Sequence, residues 1–159
     1  MVAYFIPAPQ IVYDKIIIFI KDLLNQTNGL SQLDLIKFIV ANNVKSTLTG
    51  ILSGAILGIV PIVSTIANGY LLGFVAMLSV KAGGILTLWK IFPHGIFELP
   101  AVFISLGLGL KLGTFIFQKK KLKSFENYLI NSLKCFLLIV IPLLIIAGII
   151  EGTLMVLIK

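Results

Sequence analysis

The stretch that decides the fold runs from residue 46 to residue 80 and reads STLTGILSGAILGIVPIVSTIANGYLLGFVAMLSV. None of these 35 residues carries a charge. A membrane-spanning helix needs about 20 apolar residues, so the stretch is too long for one span. We place the break at Asn68-Gly69, a common turn dipeptide. The sequence therefore predicts one spanning helix near 44–67 and a second near 69–90.

The rest of the chain has the composition of an integral membrane protein. Its 159 residues are 58% hydrophobic and 12% charged, with a mean hydropathy of +1.10. These values lie outside the usual range of soluble globular domains. Two further apolar stretches predict spans near 95–117 and 132–157. We therefore expect an all-α fold, a polytopic bundle of about four transmembrane helices that forms one membrane domain over residues 1–159.

Residues 10–42, which precede the predicted spans, have an amphipathic pattern. Residues 10–25 place charged and amide side chains on one side of a helix and Ile, Leu and Phe on the other. Ser31 followed by Asp34 is typical of a helix start and predicts a second short helix to about Val40. These N-terminal amphipathic helices lie in the membrane interface or cover the bundle, and the pattern leaves both arrangements open.

The charge distribution indicates an orientation in the membrane. All thirteen basic residues are lysines, and the formal net charge is +7. The densest cluster, Lys119 to Lys123, directly follows a predicted span, and positive charge at this place is typical of the cytoplasmic side. No aromatic residues alternate with these lysines, as a binder of single-stranded nucleic acid would require. We therefore expect a multi-pass cell-membrane protein that contacts the lipid bilayer and no nucleic acid, with the Lys119 to Lys123 loop in the cytoplasm.

This orientation places residues 93–100 toward the outer face and the amphipathic N-terminal segment outside. The first ten residues, MVAYFIPAPQ, lack the basic region and the apolar core of a signal peptide. Either the orientation is reversed, or another spanning helix precedes this segment. We favour the additional upstream helix.

Residues 93–100, PHGIFELP, contain the chain's only histidine and one of its six acidic residues within this apolar sequence. An ionised side chain at the centre of a bilayer costs about 2.5–3.5 kcal/mol on insertion scales, so such residues usually face a packed bundle or a wet cavity. His94 and Glu98 are four residues apart and share one helical face. Small and polar residues continue that face at Ala101, Ser105 and Gly109.

Together with Lys81 and Glu151, His94 and Glu98 form a candidate intramembrane polar cluster. The cluster either binds an anion, water or a proton, or satisfies its own charges and backbone donors as a structural element. No catalytic residue, metal site or cofactor is predicted. His94 has no second histidine as a companion ligand, and the serines lie in no nucleophile motif. We therefore expect a protein that is not an enzyme.

Small residues recur at a spacing of four. One series consists of Ser46, Gly50, Gly54 and Gly58, and a second of Gly109 and Gly113. This spacing lets helix backbones approach closely, either within one protomer or between two copies. We expect packing within the protomer.

Four longer motifs carry a specific likeness. They are Asn68-Gly69-Tyr-Leu-Leu-Gly73, Pro93-His-Gly95-Ile-Phe-Glu98-Leu-Pro100, the following Gly-Leu-Gly-Leu-Lys-Leu-Gly113, and Ile-Ile-Glu151-Gly-Thr. Together they resemble the stage II sporulation protein M family over about residues 31–158. The resemblance implies an all-helical polytopic membrane protein, commonly with another span before this region. The family's namesake acts in engulfment in spore-forming bacteria, alongside peptidoglycan-degrading partners.

The resemblance implies no reaction, and two classes of function remain. The first is a non-enzymatic scaffold or a component of a cell-envelope membrane complex, with other membrane or envelope proteins as partners. The second is a transporter or channel subunit for a small solute, ion or proton, with Lys81, His94, Glu98 and Glu151 lining the route. Four or five spans would require a homo-oligomer to enclose a pathway. We favour the scaffold.

Overall fold

The computed structural model describes residues 10–157, except for the side chains of residues 11, 12, 19, 20, 23, 24 and 89–94. This part of the chain is all-helical. Its helices are α1 (Gln10–Thr27), α2 (Gln32–Leu52), α3 (Ile59–Gly83), α4 (Leu88–Gly113), α5 (Lys121–Cys135) and α6 (Ile141–Leu157). A π-helical turn, Phe136–Val140, joins α5 directly to α6. The predicted all-α class is confirmed.

The start of α2 lies where the capping pattern predicts it. The Ser31 hydroxyl oxygen accepts a hydrogen bond from the backbone amide of Asp34 at 3.2 Å, and the hydroxyl donates to the Asp34 carboxylate at 2.6 Å. The predicted end near Val40 is wrong, since the helix continues to Leu52. Buried residues recur along this length and hold the longer helix in the core; they are Leu35, Ile39, Thr47, Gly50 and Ile51.

The chain turns between α2 and α3 at residues 53–58, and the turn predicted at Asn68-Gly69 is wrong. Leu57 and Gly58 adopt left-handed φ angles of 55° and 68°, and the Gly58 amide donates to the Gly54 carbonyl at 2.9 Å. Glycine adopts this conformation without a Cβ clash, so Gly58 suits the end of the turn, directly before α3 begins. Asn68-Gly69 lies inside α3, because the long apolar sequence around it supports a continuous helix.

Three helical segments of the described chain are long and apolar enough to cross a membrane. They are Ile59–Gly83, Gly95–Phe117 and Lys121–Leu157. The expected count of four is therefore not confirmed. The predicted span near 44–67 is divided between two helices, and its first part belongs to α2, whose Lys37 and Lys45 lower its hydropathy.

Helices α2, α4 and α6 form the centre of the bundle. Gln32 of α2 donates a hydrogen bond to the Thr153 hydroxyl of α6 at 3.2 Å, and Val40 contacts Gly148, so these two helices are antiparallel. The shared core cluster consists of Ile51, Ala101, Phe136, Val140 and Leu144. These side chains pack together and connect α2 and α4 with the continuous helix formed by the π-helical turn and α6.

Helix α3 packs against α4 in the antiparallel direction. Pro61 near its start lies beside Gly109 near the end of α4. At the other end, the Thr87 hydroxyl before α4 donates to the Ser79 carbonyl at 2.6 Å. The Tyr13 ring of α1 packs edge-on against the Phe74 ring of α3, with 5.5 Å between centroids. This contact places the first amphipathic helix against α3.

Candidate functional site

The predicted polar cluster maps to one end of the bundle. Lys81 lies in the last turn of α3, Glu98 in the first half of α4 and Glu151 in the second half of α6. Helix α4 is antiparallel to α3, and it runs parallel to α2, since Gly50 lies beside Gly109 and Gly58 beside Gly113. Because α6 is antiparallel to α2, it is also antiparallel to α4, and the three positions lie toward the same end, which we call the Glu98 end. The backbone of His94 belongs to α4, but its side chain lies outside the described residues, as does that of Pro93.

The face of α4 that continues from Glu98 is buried. Ala101 and Ser105 have no exposed surface, and Gly109 is also buried. Glu98 itself is partly buried, whereas Phe103 on the outer side is 58% exposed. The small and polar residues of α4 therefore face its neighbouring helices.

The other two members of the cluster differ in their surroundings. Glu151 is partly buried beside Gly152, whose backbone packs against Ile36 of α2. Lys81 is exposed. An ion pair joins Asp34 and Lys37 on α2, and among the described residues Lys81 and Glu151 form none with each other. The structure thus brings Lys81 and Glu151 to the same end of the bundle without pairing them.

The buried hydroxyl groups bond to their own helices. The Thr47 hydroxyl donates to the Asn43 carbonyl at 2.7 Å, and the Ser105 hydroxyl donates to the Ala101 carbonyl at 2.8 Å. All buried side-chain polar atoms of the described residues have a hydrogen-bond partner. Their hydrogen-bonding capacity is largely used within the fold. No group of three metal-binding side chains lies among the described residues.

The glycines of the two series meet where the end of α2 and the turn that follows it cross α4. A Cβ atom at Gly54 would overlap the Gly109 carbonyl. A Cβ atom at Gly109 would lie 2.5 Å from the Gly50 carbonyl oxygen, and one at Gly113 would lie 2.7 Å from the Gly54 carbonyl oxygen. Gly58 packs beside Leu110 at the end of the same contact. We call this contact the glycine crossing; its helix backbones touch directly within one protomer.

Sequence reasoning missed a second glycine contact, between α2 and α6. A Cβ atom at Gly148 would lie against Val40, and one at Gly152 against Ile36. The spacing of four between these glycines was the signal that could have found it. Helix α2 therefore packs against glycines on both of its central neighbours.

The remaining family-motif positions lie on helix surfaces. Asn68 and Gly69 are exposed in the first half of α3, and Pro100 is exposed on α4. Gly95 is partly exposed in the first half of α4. Asn68 and Gly69 do not lie with Glu151 at the Glu98 end, since they are nearer the opposite end of α3, whereas Gly95 and Pro100 flank Glu98 on α4.

The opposite end of the bundle carries the lysine cluster. Lys119, Lys120, Lys121 and Lys123 are exposed around the start of α5. The Lys111 ammonium lies 5.7 Å from the centroid of the Tyr128 ring, and the Phe115 and Phe125 rings pack edge-on with centroids 5.1 Å apart. These contacts hold the end of α4 against α5.

The helices and their surface define a class of protein. Large apolar side chains are exposed over the outside of the bundle, with Leu138 at 77% and Ile66 at 68%. Three apolar helices of spanning length carry such a surface, so this is a membrane protein built from a helical bundle.

The family model described as stage II sporulation protein M matches residues 4–154, nearly the whole chain. The chain belongs to the stage II sporulation protein M family. No curated protein and no solved structure matches it.

Proposed function

We propose that this protein is a non-enzymatic scaffold that holds other envelope proteins together as a multi-pass component of a cell-membrane complex. The observation that carries the proposal is the glycine crossing, where Gly54 and Gly109 bring two helix backbones into direct contact. Such contacts suit a rigid platform, since neither helix can slide without steric overlap. The buried hydroxyls of Thr47 and Ser105 support the same function, because they already bond within their own helices.

The scaffold is tested by combining partner capture with a permeability assay. The full chain, carrying an affinity tag, is cross-linked in its native membrane and purified, and the recovered proteins are identified and counted. We expect envelope proteins at a fixed ratio to the chain. Proteoliposomes containing the purified chain should leak protons, Na⁺, K⁺ and phosphate no faster than empty liposomes. A saturable flux of any of these ions, together with recovery of the chain alone, would contradict the scaffold.

The alternative is a transporter or channel subunit. The observation in its favour is that Glu98 and Glu151, both partly buried, lie at the same end of helices long enough to span a membrane. Carboxylates in such segments commonly mark ion or proton routes. The same proteoliposome assay then compares the wild-type chain with Glu98→Gln and Glu151→Gln.

The matched control is Glu126→Gln, because Glu126 is exposed on α5 at the lysine end. A transporter predicts a flux that both intramembrane substitutions reduce and the control leaves unchanged. Equal, background-level permeability in all four proteins would argue against transport and leave the scaffold standing.

A further inference from the structure

One face of α3 packs against α4 at the start of the helix, but positions further along the same face are exposed. Pro61 is buried against Gly109. Asn68 follows Pro61 by seven residues, and at about 100° per residue it returns to nearly the same side of the helix. Leu72, one turn further along, also lies on this side. Yet Asn68 is exposed and Leu72 is 42% exposed.

The opening lies between two closed ends. Pro61 contacts α4 at one end, and the Thr87 hydroxyl binds the Ser79 carbonyl at the other. Between these ends a Cβ atom added at Gly69 would meet no atom within 4 Å. We define the open face of α3 as Asn68, Gly69 and Leu72, with the half-buried Thr65 at its edge.

Asn68 needs a polar partner in this position. It lies nine residues after the first residue of α3, about 14 Å along the helix at 1.5 Å per residue, too far for its short side chain to reach the end. Its carboxamide offers two donors and one acceptor oxygen. It forms no side-chain hydrogen bond within the described part of the chain. Hydrocarbon cannot supply a hydrogen bond, and a polar group left unsatisfied in hydrocarbon costs several kcal/mol.

We propose that two copies of this protein associate through the open face of α3, with the Asn68 side chains hydrogen-bonded to each other across a twofold axis. A carboxamide both donates and accepts, so it complements its own copy in a symmetric contact. Gly69 permits close approach of the two backbones, and Leu72 packs beside them. This interface is separate from the glycine crossing and does not depend on the scaffold function.

Cysteine cross-linking in native membranes tests the interface. The chain has a single cysteine, Cys135, so Cys135→Ser provides a background without thiols. Thr65→Cys and Leu72→Cys, on the open face, should each form a disulfide-linked dimer on mild oxidation. Val63→Cys and Ala67→Cys are the matched controls, since both residues are exposed on the other side of α3 and should remain monomeric.

The contribution of Asn68 is measured by the dimerisation constant in liposomes, from single-molecule subunit counting over a range of protein-to-lipid ratios. Asn68→Leu should weaken dimerisation about 3- to 30-fold, the range expected for one hydrogen bond between membrane helices. Asn127→Leu, at an exposed position on α5, should leave it unchanged. Circular dichroism confirms that each variant keeps its helix content.

Three results would overturn the proposal. The first is a wild-type chain that stays monomeric at every protein-to-lipid ratio. The second is cross-linking that is strongest at Val63→Cys or Ala67→Cys. The third is Leu72→Cys trapping a different protein in native membranes with no self-linked product.

Discussion

Glycine has opposite surroundings in two regions that both border α4. At the glycine crossing, Gly54 and Gly109 leave room for no side-chain atom, and the backbones of α2 and α4 touch. On the open face of α3, Gly69 has no neighbour within 4 Å of its Cβ position. The comparison teaches that a small residue in a membrane helix marks a contact only where a second backbone is already held against it. The glycine crossing is complete within one protomer, whereas the open face of α3 is available to a second copy.

The largest expected effect is a loss of folding on substitution of Gly109, compared with Gly107 two residues earlier in α4. Gly109→Leu should prevent the bundle from folding. The obstacle is the backbone of α2, which cannot move aside as a side chain can, so the cost should exceed the roughly 1–3 kcal/mol typical of overpacking. Gly107→Leu is the control, because nothing lies within 4 Å of that position.

The measurement is the yield of monodisperse protein in detergent, followed by unfolding with SDS monitored by circular dichroism. Gly107→Leu should fold and unfold close to wild type. Equal behaviour of the two variants would show that the glycine crossing does not hold the bundle together.

The core cluster gives the next largest effect. Leu144 of α6 is completely buried, so Leu144→Ala should lower the free energy of unfolding by about 2–5 kcal/mol through lost burial and the cavity left behind. Leu138 lies on the same continuous helix and is mostly exposed. Leu138→Ala should change the free energy by less than about 0.5 kcal/mol. A loss of similar size in both variants would indicate that contact of this helix with lipid, and not packing of the core, stabilises the folded protein.

The same comparison shows what the sequence could and could not predict. The helical class, the cap at Ser31 and the spacing of the glycines follow from local patterns, because each depends on residues within one or two turns. The pairing of Gly54 with Gly109 does not, since many small residues share the same spacing. The turn was misplaced for a related reason. Asn68-Gly69 is a strong turn signal in water, but a long apolar helix overrides it, and the chain turns instead at residues 53–58, where Leu57 and Gly58 adopt left-handed φ angles.

A smaller effect is expected at the contact of α2 with α6. Gly152→Ala should destabilise the bundle by about 1–3 kcal/mol. The added methyl group would meet the Cγ1 carbon of the Ile36 side chain at 2.5 Å, which can move by rotation about χ1, but also the Ile36 Cα atom at 3.3 Å, which cannot.

Pairing the change with Ile36→Ala, which removes the contacting Cγ1 carbon, tests this steric cause. If the methyl group clashes with the Ile36 side chain, the double variant Gly152→Ala, Ile36→Ala should lose less stability in SDS titration than the sum of the two single losses. If the stability losses of the two single variants simply add in the double variant, the cost of Gly152→Ala does not arise from contact with the Ile36 side chain.

The smallest effect concerns the start of α2, at the far end from the glycine crossing. Ser31→Ala removes the oxygen that accepts from the Asp34 amide, and loss of such a cap typically costs about 1 kcal/mol. Because the cap acts only on the first turn, hydrogen exchange should increase at residues 32–36 and remain unchanged near Gly50. Ser46→Ala, an exposed position inside the same helix, serves as the control and should alter neither region. Faster exchange along the whole of α2 would instead mean that its two halves unfold together, so that the glycine crossing depends on the contact with α6.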